Sequence, residues 1–123
     1  MTINVATGVA RILKQEWIKW VSTFPVCHVN NALGQEGVPM VMMRDDRYAV
    51  ALADAYSRIN AGNPIGVCTF QGGVNAAGLQ VAYAGIAQAF EDGSPVLCIT
   101  DGVPIGATEN SQFDVTSSMK SVS

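Results

Sequence analysis

Apolar positions along this chain alternate between a helical and a strand period. Val5, Val9, Ile12 and Leu13 recur at i, i+4, i+7 and i+8, which predicts a helix over residues 4–16 with one buried face. The run at 20–24 reads as a strand, and residues 30–35 as a short helix stopped at Gly37. A second strand is predicted over 39–43, where Met40, Met42 and Met43 read as buried strand residues rather than a ligand set, because alternate side chains point to opposite faces. Residues 45–59 form the next predicted helix. Its apolar face is Ala49, Leu52, Ala53 and Tyr56, and Asp54 and Arg58 make an i,i+4 pair on the other face. After a turn at 61–64 come a third strand at 65–70, a helix ending near Phe90 and a fourth strand at 95–100. Residues 101–104 read as a loop and 111–119 as a weak final helix.

Helices alternating with short apolar runs imply parallel strands joined by helical crossovers. The expected fold is α/β: a three-layer, doubly wound, mostly parallel sheet of at least four strands flanked by helices. With 123 residues, no linker and no internal repeat, the chain reads as a single domain over 1–123. A 49% hydrophobic content supports a core, whereas charged residues make up only 14%, against roughly 25% in typical soluble domains. Much of the surface is therefore expected to be uncharged or covered, most simply in a homodimer or higher oligomer. The chargeless stretch from Val74 to Phe90, rich in small residues, reads first as core and second as a subunit interface.

The net charge of −3 and the lack of a Lys/Arg cluster argue against nucleic acid as a partner. No charge falls between Arg58 and Glu91, yet Asn, Gln, Pro and Gly interrupt that stretch, so no membrane span is expected. Cys27, Cys68 and Cys98 are odd in number and lack CxxC spacing, which indicates neither a disulfide framework nor a metal site. Cys68 and Cys98 read as small buried hydrophobes. A reducing cytoplasm fits, and residues 1–14 show no signal-peptide pattern.

Three loops of unusual composition leave the carboxyl ends of predicted strands: Pro25-Val26-Cys27-His28, Arg44-Asp45-Asp46 and Gln71-Gly72-Gly73-Val74-Asn75. Ligands of open α/β sheets bind at that edge, so the three are expected to converge there. Acids at a helix start also serve as caps, a role compatible with facing a ligand. The glycines allow close backbone approach to a ligand, but they match neither GxGxxG nor a P-loop. His28 is the one histidine. Its neighbour Cys27 is a poor candidate for a nucleophile pair, since sequence neighbours seldom face each other.

These blocks resemble the pyrimidine-binding (PYR) domain at the N-terminus of thiamine-diphosphate-dependent enzymes, especially the acetolactate synthase and 2-oxoacid decarboxylase group. Trp20-Val21-Ser22-Thr23-Phe24-Pro25-Val26 looks like that family's strand running into a Phe-Gly-x-Pro-Gly loop. Arg44-Asp45-Asp46 followed by Ala53-Asp54-Ala55-Tyr56-Ser57-Arg58 is similar to its Arg-His-Glu and Ala-Asp-Gly-Tyr-Ala-Arg block at the same spacing. Thr69-Phe70-Gln71-Gly72-Gly73 resembles its Thr-Ser-Gly-Pro-Gly turn, and residues 85–100 its next helix and strand. In that family the acid of Arg-His-Glu hydrogen-bonds the cofactor's aminopyrimidine ring and promotes the reactive ylid. The resemblance puts Asp46 there as catalytic acid. It implies cofactor contacts from Pro25, Val26, Thr69, Gln71, Gly72, Gly73 and Asn75, with Cys27 and His28 facing the substrate.

The chain also departs from that pattern. Asp46 is one methylene shorter than glutamate, Pro25 and His28 replace loop glycines, and Trp17 stands where the family has glycine. The family's Gly-Asp-Gly…Asn-Asn metal motif is absent from this sequence, and the resemblance implies a domain truncated before its last strand. The implied function is binding of thiamine diphosphate at its pyrimidine end for carbon–carbon bond cleavage or formation at small 2-oxoacids. Mg²⁺ would be held only through a partner diphosphate-binding (PP) domain. The alternative is a non-catalytic, oligomerising α/β module that has lost cofactor activation.

Overall fold

Four parallel strands, in the sheet order Met40–Met42, Val21–Thr23, Gly66–Phe70 and Val96–Thr100, carry helices on both faces. The computed structural model describes residues 3–73, 77–102 and 115–123. The elements run α1 (Val5–Gln15), β1 (Val21–Thr23), α2 (His28–Gln35), β2 (Met40–Met42), α3 (Asp46–Ile59), β3 (Gly66–Phe70), α4 (Gly78–Glu91), β4 (Val96–Thr100) and α5 (Val115–Met119). The three-layer α/β architecture expected from the sequence is the one observed.

Side chains alternate across the sheet and divide the core in two. On one face Ala10 and Leu13 of α1 and Val29, Ala32 and Leu33 of α2 pack on Val21 and Val67. On the other, Ala49, Val50 and Ala53 of α3 and Leu79 and Ala82 of α4 pack on Cys68 and Phe70. Small residues on α3 and α4 allow those two helices to lie close. Ser57, fully buried on α3, ties that layer to the sheet by accepting from Gly66 N at 2.7 Å and donating to Pro95 O at 2.5 Å.

Helix ends follow local chemistry. The Asn4 side chain accepts from Thr7 N at 2.8 Å to start α1, and Asp45 accepts from Arg47 N at 2.8 Å to start α3. The first four helices end alike. Ile18 N, Val38 N, Gly62 N and Ser94 N reach back to the carbonyls of Leu13, Leu33, Ser57 and Ala89, at 3.1, 2.9, 2.7 and 2.8 Å. This closure requires a left-handed residue just before each donor: Trp17 (φ 60), Gly37 (φ 73), Ala61 (φ 50) and Gly93 (φ 65). Trp17, which stands where the resembled family has glycine, is thus left-handed.

The methionine run is not buried. β2 is an outermost strand, paired on one side with β1, and Met40, Val41 and Met42 are 37%, 42% and 61% exposed; only Met43 is half-buried. The face of α3 also differs from expectation. Asp46, Ala49, Val50, Ala53, Asp54 and Ser57 are buried, whereas Leu52 and Tyr56 are half-buried, Tyr56 lying edge-on to Trp20. The Asp54–Arg58 pair forms at 2.9 Å, with Asp54 on the buried side. α2 starts two residues earlier than the pattern predicted. α4 starts at Gly78; residues 74–76 and 111–114, placed in helices by the pattern, lie outside the described residues. α4 buries Gly78, Leu79, Ala82, Gly85 and Ala89 but leaves Val81 and Phe90 exposed, so it is not enclosed on every side. Among the described residues no helix is long and apolar enough to cross a membrane.

Candidate functional site

All four strands run the same way, so the loops that follow them open on one edge. The two acids after β2 have separate roles there. Asp45 caps α3, while Asp46, its first residue, is 6% exposed and accepts from Gln71 N at 2.9 Å through Oδ1. Burial raises the Asp46 pKa above the ordinary carboxylate value, against the opposing donation from Gln71 N–H. The carboxyl is thereby biased toward keeping a proton. Gly78, at the start of α4, closes this niche. A Cβ there would fall 2.6 Å from Asp46 Oδ1 and closer still to Gln71 O, which only glycine avoids.

The loop after β3 is pressed against the end of β4. A Cβ on Gly72 would collide with Thr100 Oγ1 and Asp101 O, and Gly73 is left-handed at φ 88. Gln71 thus contributes its backbone N–H and Gly72 a close approach. Thr69 is fully buried, with Oγ1 2.6 Å from Thr23 Oγ1 and 2.7 Å from Asn30 Oδ1. Its hydroxyl is engaged beneath the edge. Asn30 Nδ2 in turn donates to Phe24 O at 3.3 Å, fixing the loop after β1. Asn75 lies outside the described residues.

Pro25, Val26, Cys27 and His28 line an open depression of about 450 Å³ shared with Asn30 and Asn31 of α2 and Met40 and Met42 of β2. Val26 holds φ 72, a rare conformation for a β-branched residue. Cys27 and His28 do not form a nucleophile pair. The Cys27 thiol is pushed up to about 11, chiefly by burial and further by the Asp101 carboxylate, whose Oδ1 lies 3.8 Å from Sγ. The exposed His28 ring pairs instead with Asp101, Nδ1 to Oδ2 at 2.9 Å, and the same carboxylate accepts His28 N–H at 3.1 Å.

The expected residues therefore form two groups along one edge. Residues 25–28 surround the depression between α2 and β2, and Asp46, Gln71, Gly72 and Gly73 gather where β3 meets α4. Asp101 bridges them, with its carboxylate on His28 and its backbone oxygen against Gly72. Asp101, Asn30 and Gly78 escaped the sequence reading. An acid directly after a predicted strand was the signal that selected Asp46, and it applied equally to Asp101. Among the described residues no cluster of three or more His, Cys, Asp or Glu side chains could hold a metal ion.

The sequence matches the family described as thiamine pyrophosphate enzyme, N-terminal TPP binding domain, over residues 3–121. The chain belongs to that family. This TPP-binding domain is also 35% identical, over 86 residues, to an uncharacterized protein of Methanocaldococcus jannaschii; the match covers 68% of this chain and 16% of that protein. One Asp46 oxygen is fixed by a backbone N–H, no side chain among the described residues bonds the carboxyl, and burial favours its protonated form.

Proposed function

We propose that this domain forms the pyrimidine half of a thiamine diphosphate site, with Asp46 as the acid that exchanges a proton with the aminopyrimidine ring. The observation that carries the reading is Asp46 itself: a buried carboxyl with a raised pKa, held by Gln71 N–H at the ligand edge of a TPP-binding fold. Bound thiamine diphosphate supplies carbanion stabilisation, and the protein supplies orientation and proton control. Asp46 holds or releases the proton at its carboxyl, Gln71 N–H fixes that group, and Gly72, Gly73 and Gly78 keep side chains out of the niche. Pro25 and Val26 border the neighbouring depression, where Cys27 and His28 face the substrate.

The reaction we infer for the whole protein is carbon–carbon bond cleavage or formation at small 2-oxoacids, supported by the acetolactate synthase-like and decarboxylase-like order of the motifs. Diphosphate and Mg²⁺ would be held by a separate PP domain. A homodimer or higher oligomer in a reducing cytoplasm accords with the 14% charged composition, the exposed Val81 and the three free cysteines.

Calorimetric titration with thiamine diphosphate and Mg²⁺ tests this reading. Binding should appear when a diphosphate-binding domain is present and weaken on Asp46→Ala; absence of binding in the presence of that domain would refute it. Asp46→Glu should raise activity of the reconstituted protein, because the longer acid reaches further into the niche. A second reading is favoured by the Gln71 and Gly78 contacts of Asp46, which give it a structural use: a non-catalytic oligomerising module. That reading predicts a stability change on Asp46→Ala and no cofactor binding by either form.

A further inference from the structure

We propose that Cys68 and Cys98 are a peroxide-responsive thiol pair, in which Cys98 reacts first and Cys68 closes a reversible disulfide between β3 and β4. The two residues are in-register partners on adjacent parallel strands, and their sulfurs lie 3.5 Å apart. Neighbouring strands run about 4.7–4.9 Å apart, inside the roughly 4.4–6.8 Å window of Cα separations that a disulfide spans. Bond closure asks only that the sulfurs approach to about 2.05 Å by rotation and a small contraction between the strands.

The pair is asymmetric in access. Cys68 is fully buried, whereas Cys98 is half-buried and lines an apolar groove of about 410 Å³ between α4 and β4, beside Ile86, Phe90 and Leu97. A small neutral peroxide can reach Cys98 through that groove. The Cys68 S–H donates toward Cys98 Sγ, which favours thiolate at Cys98 and holds the proton on Cys68. An accessible sulfur with the lower pKa beside a resolving cysteine is the arrangement of redox-sensing thiols. Cys27 belongs to a different region, is buried beside Asp101, and has its thiol pushed up to about 11.

The chemistry balances with hydrogen peroxide as oxidant. Cys98 thiolate attacks one peroxide oxygen; the O–O bond breaks, Cys98 becomes a sulfenic acid, and the departing hydroxide takes the released proton as water. The Cys68 sulfur then displaces hydroxide from Cys98, its own proton leaving with that hydroxide as a second water. Two electrons pass from two thiols to one peroxide, and a dithiol reductant reverses the change.

The test exposes the 123-residue chain to hydrogen peroxide, counts thiols after denaturation and maps the product by mass spectrometry. The expected result is loss of two of the three thiols, a mass lower by two hydrogens, a linked peptide pair containing Cys68 and Cys98, and full reversal by dithiothreitol. With Cys68→Ser, Cys98 should accumulate as a sulfenic acid that dimedone traps; with Cys98→Ser, Cys68 should stay a thiol. Three surviving thiols, a bridge through Cys27, or overoxidised Cys98 without a bridge would overturn the proposal. The wild-type peptide map decides it even where a variant does not fold.

Discussion

Putting glycine at Trp17 should stabilise the protein, and the structure provides its own controls. Four helices close with the same pair of backbone hydrogen bonds, and each needs a left-handed residue after its cap. Gly37 and Gly93 occupy two of these positions; Trp17 and Ala61 occupy the others. A side chain in that conformation costs about 1–2 kcal/mol, because Cβ crowds the following carbonyl. Glycine loses about 0.5–1 kcal/mol more chain freedom on folding, so the net gain from Trp17→Gly is about 0.5–1 kcal/mol. Trp17 is 80% exposed, so little burial is lost with its ring. Ala61→Gly should give a similar gain.

The reciprocal changes make the reasoning refutable. No atom lies within 4 Å of a Cβ built on Gly37 or Gly93, so Gly37→Ala and Gly93→Ala test backbone conformation without a clash. Each should cost about 0.5–1 kcal/mol. Urea unfolding measures all four. With m of about 1–3 kcal/mol/M, the midpoints should rise for Trp17→Gly and Ala61→Gly, and fall for the two alanines, by a few tenths of a molar, with m unchanged. If Gly37→Ala is destabilising while Trp17→Gly is destabilising too, the account of strain at residue 17 is wrong and its indole contributes contacts that its exposure hides.

Three further outcomes follow from the site and its supports. The raised pKa of Asp46 means that its contribution to stability is greatest below its ordinary value of 3.8 and is lost as pH rises through the folded-state pKa; the stability of Asp46→Asn relative to wild type should therefore increase between pH 3 and pH 7, and a decrease measured by urea midpoints would refute the burial argument. Ser57→Ala leaves buried Gly66 N–H without its acceptor and should cost about 1–3 kcal/mol in the same assay; a neutral result would mean that water replaces the hydroxyl. Asp101→Ala removes the carboxylate that accepts His28 N–H at the start of α2 and should cost about 1 kcal/mol, with Asp101→Asn recovering most of it; equal losses would show that the cap is unimportant.

Much of the fold was legible because its signals are local. The spacing of Val5, Val9, Ile12 and Leu13 marks α1, and the apolar run at 65–70, bounded by Pro64 and Gly72, marks β3. Strand order is not local. Nothing in Met40-Val41-Met42 tells a central strand from an outermost one, so an apolar run read as buried is exposed at the sheet edge. The buried face of α3 shifted for a related reason. Asp54 and Ser57 are polar by composition, yet both are buried: Asp54 is paired with Arg58 one turn on in the same helix, and Ser57 with Gly66 and Pro95 from beyond it.

The same distinction governs the site. Asp46 could be picked out as an acid where a strand gives way to a helix, but its electrostatic character comes from burial, opposed by the N–H of Gln71, in a niche bounded by Gly78, groups 25 and 32 residues away in sequence. Asp101 went unnoticed because its partners, the backbone and ring of His28, are brought to it only when β4 and α2 share one end of the sheet. Each carboxylate accepts a main-chain N–H, that of Gln71 on the loop after β3 for Asp46 and that of His28 at the start of α2 for Asp101, which the His28 ring also meets at 2.9 Å. Main-chain donors are the same whatever side chain stands at Gln71 or His28. The main-chain bonds to the two acids should therefore survive substitution at Gln71 or His28, although Asp101 then loses the His28 ring, while substitution at Gly72 or Gly78 disturbs them because there the backbone itself must move.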